Sequence, residues 1–91
     1  MSKVASDLES LIAFRSHLQQ FNRTLGEEFS SMRSHWQSLG GVWTDAKYHE
    51  FGQALSEVSR GIDRYLAVTE DHEVHLLRLI ETLRTYLDTH V

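Results

Sequence analysis

Apolar residues return along this chain with a seven-residue period. In the first half Val4, Leu11, Leu18, Leu25, Met32 and Leu39 form one row, flanked three or four positions away by Leu8, Phe14, Phe21, Phe29 and Trp36. That spacing holds the apolar positions on one face of a 3.6-residue helix and predicts a single helix over about residues 4–39. Ser6 with Glu9 reads as a capping box at its start, with Ser2 as an earlier alternative. The second half carries two rows of the same period. Tyr48, Leu55, Ile62, Thr69, Leu76 and Leu83 make one, and Phe51, Val58, Tyr65, His72, Leu79 and Tyr86 the other. They predict a second helix over about residues 45–89 with two apolar seams, beside which Leu66, Ile80 and Leu87 add a third row.

The stretch GGVWTDAKYHEF, residues 40–51, interrupts a chain that has no proline and few glycines. Gly40 is expected to take the left-handed conformation that ends a helix after Leu39, and Thr44 to cap the next one, with Asp45 in its first turn against the helix dipole. Trp43 and Tyr48 then occupy the positions of a hydrophobic staple. A turn over residues 40–44 between two such helices implies an antiparallel hairpin, placing Trp36 near Tyr48, Phe29 near Leu55 and Leu18 near Leu66. Counted outward from the turn, Val4 falls opposite Ile80, so residues 81–91, with Leu83, Tyr86 and Leu87, overhang the first helix.

A hairpin uses one broad stripe of each helix, and the second helix has more apolar surface than that. At roughly 25 cal/mol per Å² the surplus favours pairing with a second hairpin. The expected fold is all-α: one domain over residues 1–91, an antiparallel two-helix hairpin that pairs into a four-helix bundle. Its packing and interface residues are Leu18, Leu25, Phe29, Trp36, Leu55, Val58, Ile62, Leu66, Leu83 and Tyr86, with Trp43 and Phe51 contributing from the turn. Gly26, Gly52 and Gly61 mark either close helix approach or local flexibility. Thr69 and His72, polar in consecutive seam positions, are either a layer that fixes register and responds to pH or partly exposed residues with neither role.

Composition narrows the functional classes. The 91 residues are 41% hydrophobic and 24% charged, which is a globular composition. No run approaches the roughly 20 apolar residues of a bilayer helix, and the opening MSKVASDLESL lacks the apolar block of a cleaved signal peptide, so neither membrane insertion nor general secretion is expected. A net charge of -4 without a basic block argues against nucleic acid as a partner. With no cysteine, neither a disulfide framework nor a thiol nucleophile is available. His72 and His75, near Glu70, Asp71 and Glu73, offer a partial two-histidine and one-carboxylate pattern. The Glu-x-x-His motifs of di-iron bundles are missing, as are His-Glu-x-x-His, a Gly-rich phosphate loop and a Gly-x-Ser-x-Gly elbow. No enzyme, cofactor or metal is expected, and the histidines read as solvated surface residues.

Two amphipathic helices joined by a Trp-containing reversal, with a phenylalanine eight positions after that Trp, resemble the WXG family, the early-secreted-antigen type of helical hairpin associated with type VII secretion. The resemblance spans essentially the whole chain. In that family the turn reads Trp-x-Gly; here it is Trp43, Thr44 and Asp45, followed by Phe51. The family's export signal, a Tyr followed four residues later by an acid, has no counterpart, since Tyr86 is followed by His90 and Tyr65 by Thr69. The resemblance implies a homodimer, or a heterodimer with a related hairpin, and a secretion ATPase or a larger substrate as further partners. It implies synthesis in the cytoplasm and a leaderless route for any export. The alternatives are a helical adaptor or structural module that stays in the cytoplasm, with Trp43 merely stapling its hairpin, and a metal-dependent enzyme built on His72 and His75.

Overall fold

The computed structural model of the chain describes residues 3–89. Two α-helices make up nearly all of it: α1, Lys3–Ser38, of 36 residues, and α2, Ala46–Thr89, of 44 residues. No strand occurs among the described residues, and the chain is an all-α two-helix hairpin, as the apolar period predicts. Because α1 is already helical at Lys3, Ser6 lies inside the helix and does not cap it; the alternative cap, Ser2, lies outside the described residues.

Segments of both helices gather into two compact units. One comprises Met1–Phe21 with Val68–Val91, and the other Asn22–Ala67 with the turn at its end. In the turn unit, Trp36 packs against Tyr48, and a Cβ built on Gly26 would lie 4.0 Å from Leu66 Cδ1, so α1 and α2 run antiparallel. Leu25, Phe29 and Trp36 of α1 and Leu55, Ile62 and Leu66 of α2 are half-buried there.

In the terminal unit the Arg15 Nε–H donates to the Glu73 carbonyl oxygen at 3.1 Å. Val4, Leu8, Leu11 and Leu18 are half-buried along α1, and Leu76, Leu77, Leu83 and Leu87 along α2. Leu83 and Leu87 therefore do not overhang as expected, although Tyr86 is exposed. The Arg15–Glu73 bond lies about four residues further along α2 than counting from the turn implied. Residues beyond Ser38 continue in tight hydrogen-bonded turns, with Leu39 N donating to Trp36 O, Gly40 N to Gln37 O, and both Val42 N and Trp43 N to Leu39 O. The segment between the helices, residues 39–45, is centred where the expected turn over 40–44 is, so the shift at Arg15 and Glu73 is not a displacement of the reversal.

Both cores are thin. Among the described residues the buried hydrophobic side chains are Tyr48, in the turn unit, and Ile80, in the terminal unit, and no large side chain is fully enclosed. Two helices share a seam and enclose no interior, so the leucines expected as core keep one side toward water. Asn22 and Thr69 are buried polar residues, one in each unit. Of the pair read as either a polar layer or partly exposed residues, Thr69 is in the seam, while His72 is exposed and its Nδ1–H donates to the Val68 carbonyl oxygen at 2.8 Å.

Candidate functional site

The most specific geometry lies at the turn. The Trp36 and Tyr48 rings stack with centroids 4.5 Å apart and planes 13° apart. The Trp36 Nε1–H donates to the Tyr48 carbonyl oxygen at 3.3 Å, and the Tyr48 hydroxyl donates to the Trp36 carbonyl oxygen at 3.0 Å. Each aromatic thus satisfies its polar tip on the other residue's backbone while the ring faces give the contact, the arrangement that lets Trp and Tyr be buried. Tyr48 is 8% exposed.

Two glycines make room for this pair. A Cβ on Gly52 would collide with the Trp36 ring, its distance to Cη2 being 2.8 Å, so the indole lies directly on the α2 backbone. A Cβ on Gly40 would stand 3.1 Å from the Tyr48 hydroxyl oxygen and 3.3 Å from the Gln37 carbonyl oxygen. None of the glycines has a positive φ, so the left-handed cap expected at Gly40 does not form. Its place is taken by the right-handed turn hydrogen bonds after Ser38, and Gly40 serves as clearance for Tyr48.

The cap of α2 also differs from expectation. Asp45 Oδ1 accepts from the backbone N–H groups of Lys47 at 3.0 Å and Tyr48 at 3.3 Å, the second and third residues of α2, so Asp45 and not Thr44 is the N-cap. The same oxygen accepts from the Trp43 Nε1–H at 2.8 Å. A carboxylate is long enough to hold two backbone donors and an indole at once, whereas the shorter Thr44 side chain lies one residue too early. With the cap moved, Trp43 and Tyr48 leave the staple positions but still touch edge to face, with centroids 5.4 Å apart, and Trp43 lies 6.3 Å from Phe51. Trp43, Asp45 and Phe51 are therefore brought together as the sequence suggests, with Trp43 half-buried and Phe51 42% exposed.

The expected packing residues fall into two groups. Leu18, Leu25, Phe29, Trp36, Leu55, Ile62, Leu66 and Leu83 line the seams, whereas Val58 and Tyr86 are exposed on the second heptad row of α2. Phe51 and Leu79, on that same row, are exposed too. On α1, Phe14, Phe21 and Met32 are exposed. Of the two readings of Gly52, close helix approach and local flexibility, the structure shows the first, while sequence reasoning missed that Asp45 caps α2. The choice between the two readings of Gly52 was open to sequence reasoning, because it lies four residues after Tyr48, one helical turn on, where a bulky aromatic on α1 needs a gap.

An open groove of about 240 Å³ beside Trp36 is lined by Arg33, Gly52, Leu55, Ser56, Ser59 and Arg60, and the Arg33 guanidinium lies 5.8 Å from the Phe29 ring centroid. Neither a nucleophile with an adjacent base nor paired carboxylates line it. Among the described residues no three His, Asp or Glu side chains converge on a point that would hold a metal ion, and no helix is long and apolar enough to cross a membrane. The surfaces this hairpin offers are helix faces. No family model matches the chain, and no curated protein or solved structure shows significant similarity to it.

Proposed function

We propose that this chain is a non-enzymatic protein-interaction module that acts by pairing its amphipathic helices with another hairpin, in the manner of WXG-type substrates of type VII secretion or the partners that escort them. The observation that carries this reading is the imbalance between exposed and enclosed apolar surface. The chain exposes 7008 Å², whereas a folded monomer of 10.5 kDa exposes about 5,400 Å² by the usual size scaling. The excess, about 1,600 Å², is the scale one subunit contributes to an obligate helical interface. Large hydrophobic residues supply part of it, among them Phe14, Phe21, Met32, Val58, Leu79 and Tyr86.

The likeness to the WXG family supports the secretion half of the proposal through Trp43 at the turn and Phe51 eight residues on. Asp45 in the glycine position fits a hairpin whose turn is held by a side-chain cap. A second reading, a cytoplasmic adaptor that is not exported, is favoured by the lack of a Tyr followed four residues later by an acid after Tyr65 or Tyr86. Both readings act through helical pairing. Light scattering of the purified chain over a wide concentration range, with circular dichroism on the same samples, tests the pairing itself. A helical dimer, or a monomer that gains helicity and mass on adding a sibling hairpin, is the expected result. A fully helical monomer that takes up no helical partner overturns it. Secretion is tested separately, by following the chain in cells with and without their secretion ATPase.

A further inference from the structure

From the placement of exposed apolar side chains in the terminal unit, we infer that one flank of that unit is a self-association face, covered by the same flank of a second copy in a closed two-fold dimer. The inference rests on the pairing proposed above and adds which face pairs and with what. In this unit the α1 seam runs through Leu11, Arg15 and Leu18, and the α2 seam through Thr69, Glu73, Leu76, Ile80, Leu83 and Leu87, all buried or half-buried. Both follow the same four-then-three spacing. Residues three positions after Leu11 and Leu18 are Phe14 and Phe21; those three after Thr69, Leu76 and Leu83 are His72, Leu79 and Tyr86. In an antiparallel pair, positions with the same offset from the seam lie on the same side, so these residues share one flank, with Val68 beside them.

The exposures are 57% for Phe14, 49% for Phe21, 54% for Val68, 40% for Leu79 and 49% for Tyr86. At roughly 200 Å² for a large side chain, they leave about 500 Å² of apolar surface per copy. Two copies meeting flank to flank would remove about 1,000 Å² from these five residues alone, and the polar rim brings the total into the range of specific interfaces. The rows of this flank carry one carboxylate, Asp7, one ammonium, Lys3, and the imidazoles of His17, His72 and His75, with no Arg, and Lys3 and Asp7 lie at the end of the flank, away from Phe14 and Phe21. Depletion of charge at an apolar centre is the compositional mark of an interface core.

The other flank is different in kind. A groove there is lined by Ile12, Arg15, Ser16, Gln19, Leu77 and Arg84, and Glu9, Arg23 and Glu70 share its rows. On this other flank the exposed large hydrophobics among the described residues are Ile12 and Val74, set among charged neighbours, so a second copy satisfies the main apolar flank of the first by an isologous contact, leaves little to extend, and the assembly closes at two.

The test compares the two flanks. Wild type is expected to sediment as a dimer. Leu79→Glu and Phe14→Glu, both at exposed positions, should raise the dimer dissociation constant at least 100-fold, while Ile12→Glu changes it by less than threefold. Single cysteines give a second readout in a chain without its own: alkylation of His75→Cys should slow as concentration rises, and that of Ser16→Cys should not. A wild-type monomer, or a dimer loosened as much by Ile12→Glu as by Leu79→Glu, overturns the inference. In the first case pairing with a different chain still stands, and in the second self-pairing survives with another face.

Discussion

At the residue scale the turn works through backbone contacts that side-chain type alone does not announce. Gly52 shows this best. In a helix interior, glycine to alanine ordinarily gains roughly 1 kcal/mol, but a methyl group here would enter the Trp36 ring. Overpacking of that kind costs about 1–3 kcal/mol, so Gly52→Ala should destabilise on balance. Gly61, where a Cβ meets nothing within 4 Å, should gain stability on the same change. Urea unfolding of the two variants checks the opposite signs; equal gains would mean the indole does not lie against the α2 backbone. Asp45 is the second case. Asp45→Ala removes the acceptor of two α2 backbone donors and of the Trp43 indole, and should cost about 1–2 kcal/mol, the upper part of the range for a lost N-cap. Asp45→Asn keeps an oxygen at the same place and should recover most of it. An alanine variant as stable as wild type would show the cap to be unimportant.

At the element scale the seven-residue rows disclosed both helices and the hairpin, because helical period is a property of many positions and survives local surprises. The ends were harder to read. Thr44 and Asp45 are both good cap residues, and only the side-chain reach to Lys47 and Tyr48 decides between them. Gly40 looked like a left-handed stop, since sequence shows a glycine but not whether it is needed for its φ or for its missing Cβ. The two α2 seams could be told apart only after folding: the row through Tyr48 and Leu55 faces α1, and the row through Val58 and Leu79 is exposed apart from the half-buried Tyr65. Trp43, the residue on which the proposed secretion reading leans, is not the main anchor of the turn. Trp36 stacks on the buried Tyr48 and is tied to it by two hydrogen bonds, while Trp43 meets the same ring by its edge. Trp36→Ala should therefore cost about 3–5 kcal/mol, the range for large aromatic truncations in packed sites, and Trp43→Ala distinctly less. Thermal melts of the two variants order them, and a larger loss for Trp43 would reverse the assignment.

For the whole molecule, thin cores and wide exposed surface leave room for the proposed pairing to contribute to stability. A hairpin with Tyr48 and Ile80 as its buried hydrophobics among the described residues has little enclosed surface to offset the conformational entropy of ordering two helices, a cost of about 1–2 kcal/mol per residue. If apolar faces are covered by a second hairpin, that association supplies part of the folding free energy and folding is linked to concentration by mass action. The melting temperature of the wild-type chain should then rise steadily from micromolar to hundreds of micromolar concentration, and the rise should vanish in Leu79→Glu. Because Leu79 is exposed in the single chain, that loss of concentration dependence would report association and not damage to the seam. A melting temperature independent of concentration, with full helicity at the lowest concentration measured, would mean that the seam alone sustains the hairpin and that its exposed rows serve some purpose other than holding the fold together.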